Sequence, residues 1–312
     1  NRWQSTAANR AASATAITGS ICRLLRRRGT AAGSPGFKSR RRQPTGMYER
    51  AVVPAEWVAE RLDSVRVVDV RDAWEFDGIG HLPGAVNVPF AEFRSESGDE
   101  GMLPGAEAWA SLLSAAGVRA DDDVVAYDDT HGVFAARLLV TAELYGHPPD
   151  RLHLLDGDFS AWNREHRTTT ESPAPPASSY AVREPEGSPL VDYDTVRAAL
   201  DDPGTVVVDT REAWEFAERR LPGAVNLDWR DLVDDDTRGL KPPAELSSIL
   251  GDAGITPDTR VLLYCNTARR ISHTYLVLRS LGYDDVGFYE GSLTEWVERG
   301  GPVEGSEADD RA

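Results

Sequence analysis

The second half of this chain repeats the first, and that repeat limits the folds open to it. Val206-Val207-Val208-Asp209-Thr210-Arg211-Glu212-Ala213-Trp214-Glu215-Phe216 matches Val67-Val68-Asp69-Val70-Arg71-Asp72-Ala73-Trp74-Glu75-Phe76. Leu221-Pro222-Gly223-Ala224-Val225-Asn226 matches Leu82-Pro83-Gly84-Ala85-Val86-Asn87, Val261 to Tyr264 matches Val124 to Tyr127, and Glu290-Gly291-Ser292-Leu293-Thr294-Glu295-Trp296 matches Asp156-Gly157-Asp158-Phe159-Ser160-Ala161-Trp162. The unit is about 120 residues, too long for a solenoid repeat and long enough for its own core.

Within the first copy, strands and helices alternate. Helices are expected at Pro54 to Leu62, Pro104 to Ala116, Gly132 to Tyr145 and around Phe159 to Arg164, with a helical turn at Asp72 to Asp77. Strands are expected at Val65 to Val70, Ala85 to Val88, Val124 to Tyr127 and Leu152 to Leu155. Such alternation predicts an α/β fold in which each copy has a central parallel sheet flanked by helices. Residues 171–189 hold five prolines and no apolar period, which predicts a semi-stiff linker. The expected layout is an extension at 1–46, a first domain at 47–170, the linker at 171–189 and a second domain at 190–308.

Charge separates the extension from the rest. Residues 1–46 carry nine Arg and one Lys with no acid, so of 34 basic residues 24 remain to set against 51 acidic ones, a net of −27. The extension suits a transit peptide, a disordered basic arm, or sequence outside the native protein; the abrupt change at Met47 favours the last, with Met47 as the start. A body so acidic is not expected to bind nucleic acid or an anionic membrane. Runs such as Asp121-Asp122-Asp123 and Asp234-Asp235-Asp236 suggest adaptation to high salt. No apolar run nears the roughly 20 residues that span a bilayer. The two cysteines, Cys22 and Cys265, lie in unlike contexts, so a reducing cytoplasm is expected.

Chemistry concentrates at Cys265. Val261-Leu262-Leu263-Tyr264 is a buried strand ending at the cysteine; Asn266-Thr267-Ala268-Arg269-Arg270-Ile271-Ser272 follows; and His273 to Gly282 has the pattern of a helix closed by glycine. Unpaired N–H groups at such a helix start can converge on one point, the helix dipole adds partial positive charge, and two guanidiniums add full charges. A thiolate is the form this setting favours, and a thiolate is a nucleophile. The plain alternative is a small buried cysteine beside two solvated arginines. No Cys/His cluster with metal-ligand spacing is present, so neither a metal nor another cofactor is expected.

Taken in order, Asp-x-Arg-x-x-x-Glu after a strand, Leu-Pro-Gly-Ala-x-Asn, the cysteine loop and Gly-Ser-x-x-Glu-Trp resemble the rhodanese superfamily in its two-domain, thiosulfate sulfurtransferase form. The resemblance spans nearly all of 47–300 and implies two tandem rhodanese-like domains, with catalysis in the second. The first has Asp128 where the second has Cys265, and a carboxylate cannot carry sulfur. Asp128 through Thr130 are expected to cap the next helix. The loop departs from Cys-x-x-Gly-x-Arg at Ala268, since alanine resists positive φ.

The resemblance also implies the reaction: Cys265 takes the outer sulfur of thiosulfate as a persulfide and passes it to cyanide or a thiol. The partners implied are a small anionic sulfur donor and that acceptor. Asn266, Thr267, Ala268, Arg269 and Arg270 are the expected donor-binding residues. Arg270 is expected to face the cleft, with Arg269 at its edge. Asp209, Arg211 and Glu215 are expected to be mainly structural, Arg211 and Glu215 bracing one turn, with Arg211 the one among them counted as a donor contact. His273 is a candidate base, more simply placed in the first helical turn. Competing readings are a 3-mercaptopyruvate sulfurtransferase, a cysteine phosphatase, and a non-catalytic binding module. Only four residues separate Cys265 from Arg270, one fewer than phosphatases use.

Overall fold

The computed structural model describes residues 50–94, 103–173, 178–185 and 187–306. The described residues fall within one compact unit. The basic extension and Cys22 lie outside the described residues.

The first half runs β1 (Val52–Val53), α1 (Ala55–Ala59), β2 (Arg66–Asp69), α2 (Ala73–Gly78), β3 (Val86–Asn87), a 3-10 turn (Phe90–Phe93), α3 (Ala106–Ala115), β4 (Val124–Tyr127), α4 (Val133–Leu144), β5 (Leu152–Leu155) and α5 (Phe159–Glu165). The second runs α6 (Tyr193–Ala199), β6 (Thr205–Asp209), α7 (Ala213–Glu218), β7 (Val225–Asn226), a 3-10 turn (Trp229–Leu232), α8 (Pro243–Asp252), β8 (Arg260–Tyr264), α9 (Arg269–Ser280), β9 (Val286–Phe288) and α10 (Ser292–Glu298).

Two sheets result, ordered β1-β5-β4-β2-β3 and β7-β6-β8-β9, and every pairing is parallel. The interior strands are continuous apolar runs because helices cover both faces. Beyond β9, Leu190 bridges Phe288 in parallel, much as β1 flanks β5. β1 was not legible as a strand: two residues carry no period.

The halves are joined through α4 and α9, which pack against each other. α4 is buried along nearly its whole length, which explains its apolar sequence on all sides. One apolar cluster runs through both halves, from Val68 and Leu139 to Leu263 and Ile271. Polar ties cross the same seam. Arg137 binds Glu290 through two bonds of 2.6 and 3.0 Å, and the Tyr275 hydroxyl donates to Glu143 Oε1 at 2.8 Å. After the first half, Ser178 N–H donates to the Ser114 carbonyl and Arg183 N–H to the Tyr145 carbonyl, so these two residues lie against the first half. No helix among the described residues is long and apolar enough to cross a membrane.

Candidate active site

The repeated motifs build a scaffold beneath the cysteine. Asp209, at the end of β6, accepts from the Arg211 N–H at 3.0 Å and from its Nε and Nη2 at 2.9 and 2.7 Å. Asn226 then donates to the carbonyls of Asp209 and Arg211 at 3.2 and 2.8 Å, tying β7 to the same turn. Gly223 takes φ +67° in the Pro-Gly turn before β7, a conformation that suits glycine. Asp69, Arg71 and Asn87 repeat every one of these bonds. The motifs therefore fix strand ends, and they do so in both halves.

Cys265 follows β8 directly and is 1% exposed, with a free thiol. Its N–H donates to Ser292 Oγ at 3.1 Å, and its carbonyl accepts from the Leu293 N–H at 3.0 Å. Ser292 Oγ donates in turn to the Tyr289 carbonyl at 2.9 Å. The serine of Gly-Ser-x-x-Glu-Trp is thus the anchor of the cysteine backbone, a role that reading the sequence missed. Asn266 turns its side chain back into the scaffold: Nδ2 donates to Glu215 Oε1 at 2.9 Å, and Oδ1 accepts from Arg211 at 3.3 Å. Its carbonyl accepts from Thr294 Oγ1 at 3.0 Å. Thr267 is half-buried in the loop. Ala268 is buried and left-handed at φ +64°, ψ −7°, which reverses the chain so that α9 can start at the next residue.

Several expectations change here. α9 begins at Arg269, not His273, so both arginines are helical and His273 stands in the second turn. The reversal at Ala268 starts the helix earlier than the apolar period suggests. Arg211 does not brace Glu215. It is 3% exposed, and its donors go to Asp209, to Asn266 and to the Arg219 carbonyl. Glu215 instead grips Arg270 by both carboxylate oxygens. Burial alone would raise the Glu215 pKa, but the Arg270 guanidinium outweighs it and holds the group below the usual carboxylate range. Arg270, expected to face the donor, is therefore committed to a carboxylate. Arg269 has none among the described residues and lies 5.0 Å from the ring centre of Phe134, on the other half.

His273 is fully buried, edge-on to Trp229 at 5.3 Å, and neither ring nitrogen has a partner among the described residues. Burial, aided by His131, lowers its pKa to about 4. It is a neutral core histidine at neutral pH and a poor base.

In the first half, the Asp128 carboxylate accepts N–H bonds from Thr130, Gly132, Phe134 and Ala135 at 2.7 to 3.0 Å. It caps α4 from inside its own loop, and it shows that such a loop gathers N–H groups around one anion. No group of three or more His, Cys, Asp or Glu suited to a metal occurs among the described residues.

The rhodanese-like domain family model matches this chain twice, over residues 54–165 and 192–299. The chain belongs to the rhodanese-like family. The two matches fall on the two sheets. Among rhodanese-like relatives, a thiosulfate sulfurtransferase of Corynebacterium glutamicum is 33% identical over 271 residues, covering 80% of this chain and 88% of that protein. Another, of Pseudomonas aeruginosa, is 30% identical over 239 residues, covering 74% and 87%. The crystal structure of SseA from Escherichia coli, described as a 3-mercaptopyruvate sulfotransferase with the rhodanese fold, superposes with a TM-score of 0.68 at 25% identity over 78% of this chain and 98% of that one. A complex of EanB with ergothioneine superposes with a TM-score of 0.74 at 19% identity, covering 84% and 71%, a likeness of fold alone.

Proposed function

We propose that this protein is a thiosulfate sulfurtransferase that works through a persulfide on Cys265. One observation carries the reading: a free thiol follows strand β8 at the start of α9, with two guanidiniums on the first helical turn. The named relatives point to the same donor.

In the first step the Cys265 thiolate attacks the outer sulfur of thiosulfate. A Cys–S–S⁻ bond forms, the S–S bond of the donor breaks, and its electron pair leaves on sulfite. Cyanide or a thiolate then attacks the outer persulfide sulfur and restores the Cys265 thiolate, a double-displacement sequence. The two steps consume no proton or electron from outside. N–H groups at the start of α9 stabilise the anionic sulfur, as the equivalent groups hold Asp128 in the first half. Arg269 binds the donor. Arg270, locked by Glu215, holds a fixed positive charge beside the thiolate. The first half, with Asp128 in place of the thiol, serves as a wall of the site.

The second reading, 3-mercaptopyruvate as donor, is favoured by the likeness to SseA. Arg269, without a carboxylate partner among the described residues, and the relatives named for thiosulfate favour the first reading. A cytoplasmic setting and a demand for salt complete the reading, from cysteine usage and from the acidic body.

Intact mass after thiosulfate treatment tests it. The protein gains one sulfur atom, loses it to cyanide as thiocyanate, and does neither as Cys265→Ser. Persistent thiocyanate formation by Cys265→Ser removes the reading.

A further inference from the structure

The seam beside the Cys265 loop carries a feature the reaction above does not use. Phe90, in the first 3-10 turn, and Phe134, in the first turn of α4, meet edge to face at 4.7 Å. The Arg94 guanidinium lies 5.2 Å from the ring centre of Phe90, and that of Arg269 lies 5.0 Å from the ring centre of Phe134. One aromatic pair thus carries a cation from each half. Neither cation has a carboxylate partner among the described residues. This is notable in a chain with 51 acidic residues against 34 basic ones, where a partner is easily supplied.

The duplication shows what is missing. In the second half, the segment after the 3-10 turn Trp229–Leu232 sends Arg238 across the seam onto Asp158, with Nε bonds of 2.8 and 2.9 Å, and toward Asp129 at 3.6 Å. Arg94 follows the equivalent turn of the first half. Where the first half offers Asp158 and Asp129, the second has Ser292 and Asn266. The carboxylates that hold a crossing arginine at the Asp128 loop are replaced by neutral groups at the Cys265 loop. The charge there is left for an anion that comes and goes. The electrostatics agree: burial first, then the Arg270 and Arg94 charges, push the Arg269 pKa down, against the opposing pull of Cys265. A bound dianion relieves that repulsion.

We propose that Arg94, from the half without the thiol, is a donor-binding residue that acts with Arg269 to hold the charged end of a dianionic sulfur donor over Cys265, and so sets the preference for dianions over monoanions. This rests on the thiosulfate reading above and extends it to the other half of the molecule.

The test compares wild type with Arg94→Ala and Arg94→Lys, using thiosulfate and the monoanion benzenethiosulfonate as donors and thiocyanate formation as the readout. For Arg94→Ala, KM for thiosulfate is expected to rise about ten- to a hundredfold, the loss of one charge-assisted contact. The change is carried by KM more than by kcat, and the rise for benzenethiosulfonate is several times smaller. Arg94→Lys recovers part of the loss, because the charge returns without the planar fork. As a second measurement, calorimetry of thiosulfate binding to Cys265→Ser should show the same loss on adding Arg94→Ala. Equal effects on both donors, or an unchanged KM in an active protein, overturn the role of Arg94 and leave the sulfurtransferase reading standing. A wild-type protein that forms no thiocyanate from either donor overturns both.

Discussion

Asp128 and Cys265 occupy the same place in the two halves, one residue beyond the tyrosine that ends an interior strand, and Asp128 is held there by four backbone N–H groups of its own loop. Its burial raises the pKa, and those four bonds work against the rise. The carboxylate is a built-in anion where the other half keeps a thiol.

Asp128→Ala removes that anion and leaves the N–H groups of Thr130, Gly132, Phe134 and Ala135 without their acceptor. A loss of about 2–4 kcal/mol in stability is expected. Sulfur transfer per folded molecule should change less than about tenfold, since any effect reaches Cys265 only through packing. Urea unfolding and the thiocyanate assay measure the two. Complete loss of activity in a folded variant would show that the Asp128 loop itself takes part in the chemistry.

The Glu215–Arg270 pair joins α7 to α9. Glu215→Ala and Arg270→Ala each strand a partly buried charge, so the single variants should lose stability and the double variant less than their sum, with a coupling of about 2 kcal/mol. Arg269→Ala should leave stability closer to wild type and lower kcat/KM for thiosulfate by about ten- to a hundredfold. If Arg270→Ala instead weakens donor binding more than Arg269→Ala does, the roles given to the two arginines are reversed.

Ala268 holds φ +64° without the freedom of glycine. A left-handed alanine costs roughly 1–2 kcal/mol, partly offset by the greater chain entropy glycine must lose on folding. Ala268→Gly is therefore expected to be neutral or up to about 1 kcal/mol more stable. Ala268→Val should lose more than about 2 kcal/mol, because a β-branched side chain tolerates positive φ poorly and the site is closed. A destabilised Ala268→Gly protein would mean that the lost methyl contact outweighs the strain.

His273 gives stability a pH dependence with a definite sign. Its pKa in the folded protein is lowered to about 4, so the unfolded chain takes up the proton first as pH falls. The contribution is complete above the ordinary histidine value of about 6.5, declines from there to about 4, and is flat below. Its full size is about 3 kcal/mol, from the width of that window. His147, also lowered by burial, slopes the same way. His273→Leu should flatten part of the stability curve between pH 4 and 6.5 in chemical unfolding. An unchanged slope removes His273 as its source.

The formal net charge of −17 predicts self-repulsion at low ionic strength. Screening acts within a Debye length of about 10 Å at 0.1 M salt. Adaptation to salt requires more than that, so the melting temperature should keep rising into molar KCl. A flat profile between about 0.1 and 2 M would leave the acidity without that role.

The sequence by itself determined the duplication, the parallel α/β halves and the thiol at the junction of a strand and a helix. These are properties of order and spacing. A run such as Val261 to Tyr264 must be buried whatever surrounds it, and Asp209, Arg211 and Asn226 recur because each parallel sheet needs the same strand ends tied. The start of α9 was not legible, because it depends on a left-handed alanine that no period announces. Nor were the roles of the arginines. Arg269 and Arg270 are adjacent in the chain and nearly equivalent by charge, and what separates them is Glu215 on another helix and Phe134 in the other half. Ser292 and Arg94 enter for the same reason. Hydrogen bonds and charge pairs depend on distances of a few ångströms between residues far apart in sequence, and only tertiary packing, within the second half for Glu215 and Ser292 and between the halves for Phe134, fixed those distances.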